Sequence, residues 1–392
     1  MGGMIVGVGE KVISTIFLTI SLVFIGFIAA VYASLMGAVK FYTPFVIIVT
    51  VAVIIFSIMR IFKLGYPRIL RISVISFTSL CIIAVATYEI NQAYHNSFET
   101  LNDAEVNLRE YAPFSEDSKL VSLPETATLK MEGQLPVLDG ATALYPVYGA
   151  FVEATYPEKN YDFYRSEVMC SKTDQAYEKL INGDADIIFA AGPSKRQIDL
   201  AKKRGVELKL TPIGREAFVF FVNSRNSVEG LTIEQIQGIY SGEVTNWSEV
   251  GGNSASIRAF QRPDDSGSQT ALQNLMEGKT LMTPLKEDVV AGMGGIIEQT
   301  AQYRNYNNAL GYSFRYFSTD MIENDEIRHL KINGVPPSVE TIRTGEYPLA
   351  AEFYAITAGS DNPNIDAFIE WILSPQGQYI IEETGYVPLN LN

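Results

Sequence analysis

Two cysteines and two histidines in 392 residues remove several classes of chemistry at once. Cys81 lies in an apolar run and Cys170 in the more polar part of the chain, so no disulfide framework is implied. His95 and His329 stand far apart, without metal-ligand spacing around either, which argues against a histidine-built metal centre. Positive charge is scarce too: 30 Lys and Arg face 44 Asp and Glu, a formal net charge of −14. A nucleic-acid partner needs the opposite, a basic footprint. Nucleophile elbows are missing as well, since Ser266 in DDSGS has Asp264 two residues before it and no histidine motif nearby. The paired acids Asp264–Asp265 and Glu382–Glu383 read as solvated faces rather than catalytic dyads. No internal repeat or low-complexity tract stands out. Enzymatic activity is therefore not expected, and only hydrolysis of a phosphate ester would revive it.

What the chain has is an uneven distribution of charge. From Met1 to Ile90 there are six cations and two acids, a surplus of four, so the remainder carries −18. This basic front is also apolar: Val12–Val39, Thr43–Met59 and Ile72–Ile90 form three runs almost free of charge inside. Each is long enough to cross about 30 Å of hydrocarbon or nearly so, and residues 1–90 read as a membrane region with three transmembrane helices. The loop Arg60–Arg71 holds Arg60, Lys63, Arg68 and Arg71 with no acid, and so belongs in the cytoplasm. The N-terminus is then cytoplasmic and everything after about Asn91 extracytoplasmic, in a multi-pass protein of the plasma membrane. One alternative stays open: Val31-Tyr32-Ala33 is a tolerable cleavage signal, which would make helix one a removed signal peptide, although its apolar run exceeds a typical signal core. Polar residues inside the runs are mainly Ser, Thr and Cys, so a transport path through these helices is not expected.

Residues 91–133 are polar, lack a sustained apolar face and hold Pro113 and Pro124; they read as an extracytoplasmic linker with one short helix. From Leu135 strands alternate with helices. LPVLDG, DFYRSEVMCS and DADIIFAAG read as strands, each followed by a helical stretch, and VELKLTPIGREAFVFFVN supplies more strand. That alternation predicts a mostly parallel sheet covered on both sides. A second unit begins with LTIEQIQGIYSGEVTNWSEVGG and the strand IRAFQRP, and a last helix, Asn364–Leu373, follows AEFYAITAG. The expected domain is α/β with two lobes, lobe 1 about 134–221 and 347–392, lobe 2 about 222–346, and a cleft between them.

Three strand ends share small or hydroxyl residues leading into a helix: Gly140-Ala141-Thr142-Ala143, Cys170-Ser171-Lys172-Thr173, and Arg262 through Ser268. The first amides of a helix lack internal partners, and its dipole places partial positive charge there, worth roughly 0.3–1 kcal/mol per exposed site. Hydroxyls donate, glycine lets backbone come close, and Arg262 offers a planar fork suited to an oxyanion. Taken singly, Thr142 and Ser171 read as helix caps, and Arg262 as an ion-pair partner of Asp264 or Asp265. Their repetition at three strand ends is what raises the anion reading beside those bland ones.

DGATALYP, the LTIEQIQGIYSGEVTNWSEVGG stretch and RPDDSGSQT resemble the phosphate-binding proteins of ABC phosphate-uptake systems, a branch of the type II periplasmic-binding-protein superfamily. The resemblance runs from about Leu135 to the C-terminus and omits the three membrane helices. It implies a two-lobe fold in which Thr142 and the Ala143 amide form the first ligand-binding turn, and Ser171, with Thr173 less secure, the second. Arg262, Ser266, Gly267 and Ser268 form the third. In that family a carboxylate at the end of the third strand accepts a hydrogen bond from protonated phosphate and excludes sulfate. Here Ala191 stands in that place, and Asp139 and Asp265 are the candidate substitutes. The expectation is a membrane-anchored solute-binding protein that captures an oxyanion, with phosphate the first choice, for an ABC permease, without cofactor, metal or nucleic acid. The alternative is a membrane-held ligand sensor or assembly partner, because three helices exceed what an anchor needs.

Overall fold

The three apolar runs become three long helices. The computed structural model describes residues 2–35, 41–96, 100–101, 106–262, 264–283, 303–304, 306–321 and 326–389. Helix α1 spans Gly2–Leu35, α2 Tyr42–Ile61 and α3 Pro67–Asn96. Within them Gly7–Ser34, Tyr42–Ile61 and Pro67–Tyr94 are long and apolar enough to cross a membrane. At 1.5 Å per residue, 20 to 28 residues cover the ~30 Å of a hydrocarbon core. Their large side chains, Phe17, Phe24, Ile72 and Ile83 among them, are not covered by protein. Gly26 lets α1 approach α2, since a Cβ there would lie 2.4 Å from Thr50 Oγ1. Polar groups pair off: Ser34 with Thr43 at 3.0 Å, and the Tyr42 hydroxyl donating to the Glu89 carboxylate. The expected first span ended at Val39, and residues 36–39 lie outside the described residues.

This helical unit covers Met1–Phe98, and an α/β unit covers Glu99–Glu287 and Thr300–Asn392. In chain order the second unit holds β1 (Thr100–Leu101), β2 (Leu138–Gly140), α4 (Tyr145–Thr155), α5 (Lys172–Asn182), β3 (Ile187–Ala190), α6 (Lys195–Arg204) and β4 (Lys209–Asn223). Next come β5 (Gly230–Leu231), α7 (Ile233–Ser241), β6 (Arg258–Ala259), α8 (Gly267–Leu275), β7 (Tyr303–Arg304), β8 (Ala309–Phe314), β9 (Ile327–His329) and β10 (Lys331–Ile332). Helix α9 (Val339–Arg343), β11 (Ala350–Thr357), α10 (Ile365–Leu373), α11 (Pro375–Thr384) and β12 (Val387–Pro388) complete it.

The main sheet has the order β2-β3-β11-β4-β8-β6, with β12 and β9 also paired to β4. It is mixed, which corrects the mostly parallel expectation. β2–β3 and β6–β8 are parallel, whereas β11 runs antiparallel to both β3 and β4, and β4 antiparallel to β8. The reason lies in the strands that join the lobes. β4 leaves one lobe for the other and β11 returns, so each meets its neighbour head to tail. The stretch DFYRSEVMCS, expected as a strand, contributes a single bridge, Val168 to Leu138.

β4 is fifteen residues long and serves both lobes. Lys209–Ala217 pair with β11, and Phe218–Val222 pair with β8. Lobe 1 packs Tyr148, Phe151, Phe189, Phe368 and Trp371 into one core, with Tyr148 stacked on Phe189 at 4.9 Å. Lobe 2 packs Phe220, Ile236, Tyr240, Trp247, Leu272 and Tyr312 into another. Ala217, Phe218 and Tyr347 already belong to the second core, while Phe353 belongs to the first. Along β4 and β11 the chain thus passes from one core to the other near residues 216–217 and 350–353.

The expected linker, 91–133, is also corrected. Its first six residues continue α3, and from Val106 onward it packs on lobe 1. Tyr111, Ala127 and Met131 are buried there, and Leu120 and Leu123 lean on the same core. The backbone is secured as well: the Met131 amide donates to Thr155 at 2.7 Å, and the Gln376 side chain accepts from the Thr128 amide at 2.8 Å. Apolar residues in this strap follow neither helical nor strand period, so no face was visible in the sequence. Met131→Ala should cost about 2–5 kcal/mol, as removal of a buried Met side chain does. Urea denaturation of the full chain, read by fluorescence of its two tryptophans, checks this. A detached spacer would leave the midpoint unchanged.

Candidate functional site

Gly140 ends β2 where no side chain fits: a Cβ would lie 2.5 Å from the Phe189 carbonyl oxygen. The chain then turns over β3, held by the Ala141 amide on that carbonyl at 2.9 Å, and enters α4 through a tight turn at Thr142–Leu144. The second turn leads from Cys170 through Ser171 into α5, with Lys172 at φ +73°. The third runs from β6 past Arg262 and Asp265, at φ +64°, to Ser266, which caps α8 by accepting from the Gln269 amide.

These turns meet. A cavity of about 30 Å³ is bordered by Ala143 and Leu144 of the first turn, Thr173 of the second, Gly267 of the third and Ala191 beyond β3. Glu216, Phe314, Glu352, Phe353 and Tyr386 close it. A Cβ on Gly267 would stand 3.5 Å from Thr173 Oγ1 and 3.7 Å from the Ala191 methyl, so α8 of lobe 2 reaches lobe 1 at van der Waals distance. A wider cleft of about 420 Å³ shares Ala191, Gly267 and Glu352 and extends along Thr270, Asn274 and Tyr354.

Of the ten residues expected at the site, Ala143, Thr173 and Gly267 border the cavity. Thr142 is buried beside Cys170, whose thiol burial pushes up to about 12 while the Tyr148 and Thr142 hydroxyls pull it back. Ser268 is buried in the first turn of α8. Arg262 is half-buried, and its amide donates to the Tyr312 hydroxyl at 2.8 Å and to Gln269 Oε1 at 3.0 Å. Its neighbour Pro263 lies outside the described residues.

Ser171 and Asp139 are used differently from expectation. Asp139 is fully buried and takes four donors: the Gly140 amide at 2.7 Å, the Ser171 amide at 2.7 Å, the Ser171 hydroxyl at 2.6 Å and Lys179 Nζ at 2.9 Å. A carboxylate offers about four lone-pair sites, so Asp139 has none left for a ligand. The one Ser171 proton goes to Asp139 as well. These two residues tie the first turn to the second rather than facing the cavity. Asp265 is occupied too, accepting from Ser194 Oγ at 2.6 Å and from Arg196 Nε. Ser194 and Arg196 start α6 in lobe 1, which makes Asp265 a tie between lobes, with Arg196 also on Asp174 and Glu178. Neither expected substitute for the missing aspartate borders the cavity.

The sequence reading missed Glu216. It sits where β4 passes between lobes, is 5% exposed, and accepts from the Ala217 amide at 2.7 Å and the Tyr316 amide at 3.0 Å. Burial pushes its carboxyl up to about 7, against the pull of Arg315, whose Nε lies 3.7 Å away. Its one signal in the sequence is a charged residue set directly before the run AFVFFV. No group of three or more His, Cys, Asp or Glu among the described residues could hold a metal ion. His329 is half-buried, and the loss of solvent around it lowers its pKa to about 4; its Nε2 is engaged with Ser318 at 2.9 Å.

A family model of the PBP superfamily domain matches residues 134–376. The phosphate-binding protein PstS of Borreliella burgdorferi is 28% identical over 215 residues, covering 53% of this chain and 75% of that protein. The phosphate-binding protein PstS of Bacillus subtilis is 27% identical over 228 residues, covering 53% and 73%. A solved structure of a putative phosphate ABC transporter substrate-binding protein with bound phosphate from Clostridium perfringens is 25% identical. It covers 64% of this chain and 98% of its own, with a TM-score of 0.48.

Asp139→Ala would leave Ser171 and Lys179 without their acceptor, at a cost of about 3 kcal/mol. A urea midpoint unchanged from that of the intact chain would show that the knot contributes nothing.

Proposed function

The chain belongs to the PBP superfamily, and from that premise we propose that its α/β unit captures an oxyanion, inorganic phosphate first, for uptake into the cell. The observation that carries this reading is the meeting of three helix-leading turns from two lobes, through Ala143, Thr173 and Gly267, on one cavity. First-turn amides there have no helical partner, and the α5 and α8 dipoles point positive charge inward. Arg262 and the Ser266–Gly267–Ser268 turn act as one jaw, Thr142, Ala143 and Thr173 as the other, and the lobes close about β4 and β11. The relatives named PstS support phosphate as the ligand. They are named as binding proteins, which agrees with a site that offers donors rather than a nucleophile and its base.

The three apolar helices hold this unit at the plasma membrane, with the Arg60–Arg71 loop in the cytoplasm and the α/β unit outside, where it hands its ligand to an ABC permease. A second reading has a specific support: three spanning helices exceed the need of an anchor, which suits a membrane-held sensor or assembly partner built on the same site.

Calorimetry of the full chain in detergent should show phosphate binding, and Arg262→Ala should weaken it by more than ~2 kcal/mol, or about 30-fold. Unchanged affinity in that variant would remove the jaw from the proposal. Protease added to intact cells should digest the α/β unit and leave the helices; complete protection would reverse the orientation.

A further inference from the structure

The small cavity at the three turns does not end blindly. It shares Ala191, Gly267, Phe314, Ala351 and Glu352 with the cleft of about 420 Å³. That wider space does not come from lobes standing apart. A Cβ on Gly267 of lobe 2 would already meet Thr173 at 3.5 Å and Ala191 at 3.7 Å in lobe 1, and Asp265 accepts from Ser194 across the same gap. Room therefore remains beside the turns while the lobes touch. One face of α8 accounts for its shape. Gly267, Thr270, Ala271, Asn274 and Leu275 recur at spacings of three and four residues, so all five line the cleft along the whole helix. The strand β11 and the rings of Phe218 and Phe314 complete the walls. Most of these side chains are apolar. No lysine or arginine among the described residues lines the cleft, whereas Glu352 does, so a second anionic group would find a carboxylate there and no countercharge.

Resting on the oxyanion reading above, we propose that this site takes a phosphate monoester with a compact, uncharged and largely apolar substituent, and holds it more tightly than inorganic phosphate. The phosphoryl oxygens meet the turns at the start of α8, and the ester oxygen directs the substituent past Ala191 and Gly267 along the flank of the same helix. The small side chains at that junction, Ala191, Gly267 and Ala351, leave the passage open. Charge does not separate the two ligands. A monoester carries about two negative charges at pH 8, since its second ionisation falls near pH 6, and hydrogen phosphate carries two. The difference lies in the substituent, whose apolar surface leaves water for Leu275, Phe314 and Leu349. A phenyl ring is small enough, because a cavity of about 150 Å³ already holds benzene.

The test is calorimetry of the full chain in detergent at pH 8 with inorganic phosphate, methyl phosphate and phenyl phosphate. Phenyl phosphate should bind at least tenfold more tightly than methyl phosphate, which has the same charge and too small a substituent to fill the cleft. Ala271 borders the cleft and not the small cavity, and Ala271→Phe fills the space from α8. In that variant the advantage of phenyl over methyl phosphate should fall at least tenfold, in the same detergent, so uptake of the ester by micelles is common to both arms. If the variant does not fold, Asn274→Trp, from the exposed end of the same helix face, takes its place. Phenyl phosphate bound no more tightly than methyl phosphate by the wild type, or an unchanged advantage in the variant, overturns the substituent site and leaves oxyanion capture standing. Wild-type protein that binds none of the three overturns the oxyanion reading itself, and this inference with it.

Discussion

Both lobes of the α/β unit hang on one strand. Eight of the first nine residues of β4 pair with β11 in lobe 1 and the next five with β8 in lobe 2, so the same backbone ladder belongs to two cores. Everything that positions the site is referred to that ladder. Gly214 has no room for a side chain, because a Cβ would lie 2.5 Å from the Phe353 ring, and this packs β4 closely on β11 just before the crossing. Two residues later Glu216 takes amides from both sides of the exchange, Ala217 on its own strand and Tyr316 beyond β8. The lobe closure proposed above would concentrate its rotation at these few residues, of which Glu216 and Phe353 border the cavity.

The electrostatics resolve an apparent contradiction between an acidic chain and an anion site. The acids near the turns are spent on internal ties: Asp139 binds the first turn to the second, and Asp265 binds the third turn to α6. Each carboxylate thereby pulls donors of its own toward it and ties the helix starts. The overall charge of −14 acts over distances that salt screens within about 10 Å, whereas helix ends act at contact. Local geometry outweighs the net charge.

Much of this was legible in the residues. Long uncharged runs announce spanning helices because hydrocarbon tolerates little else, and the three observed helices fall where the runs do. Small and hydroxyl residues before α4, α5 and α8 announced the turns, since those positions need close backbone approach and caps. Sheet direction was not legible: alternation of strand and helix says parallel, but β4 and β11 join lobes, a property of the whole chain path. The strap from Val106 to Gly133 was read as a linker because its apolar residues serve an irregular backbone without a period. The resemblance puts Ser171 at the ligand, and the sequence offers no correction, because a hydroxyl before a helix looks the same whether it donates outward or to Asp139. Glu216 was invisible for the opposite reason, being one charge in a strand whose burial comes from lobes far apart in sequence.

The ties between lobes also bear on how a ligand enters a cavity of about 30 Å³. Arg196 is half exposed, and ion pairs of that kind contribute roughly 0–1 kcal/mol. Its partners Asp174 and Glu178 lie on its own lobe, so it keeps them when Asp265 departs. The Ser194 hydroxyl likewise loses one bond to Asp265 and can exchange it for water. Separating α6 from the third turn would therefore leave Arg196 with its partners in lobe 1. By contrast, the knot at Asp139 lies wholly within lobe 1, so it ties the first two turns together independently of the α8 turn of lobe 2. The arrangement thus divides the proposed site into turns tied within lobe 1 and a turn carried by lobe 2, joined by the strand on which Glu216 sits.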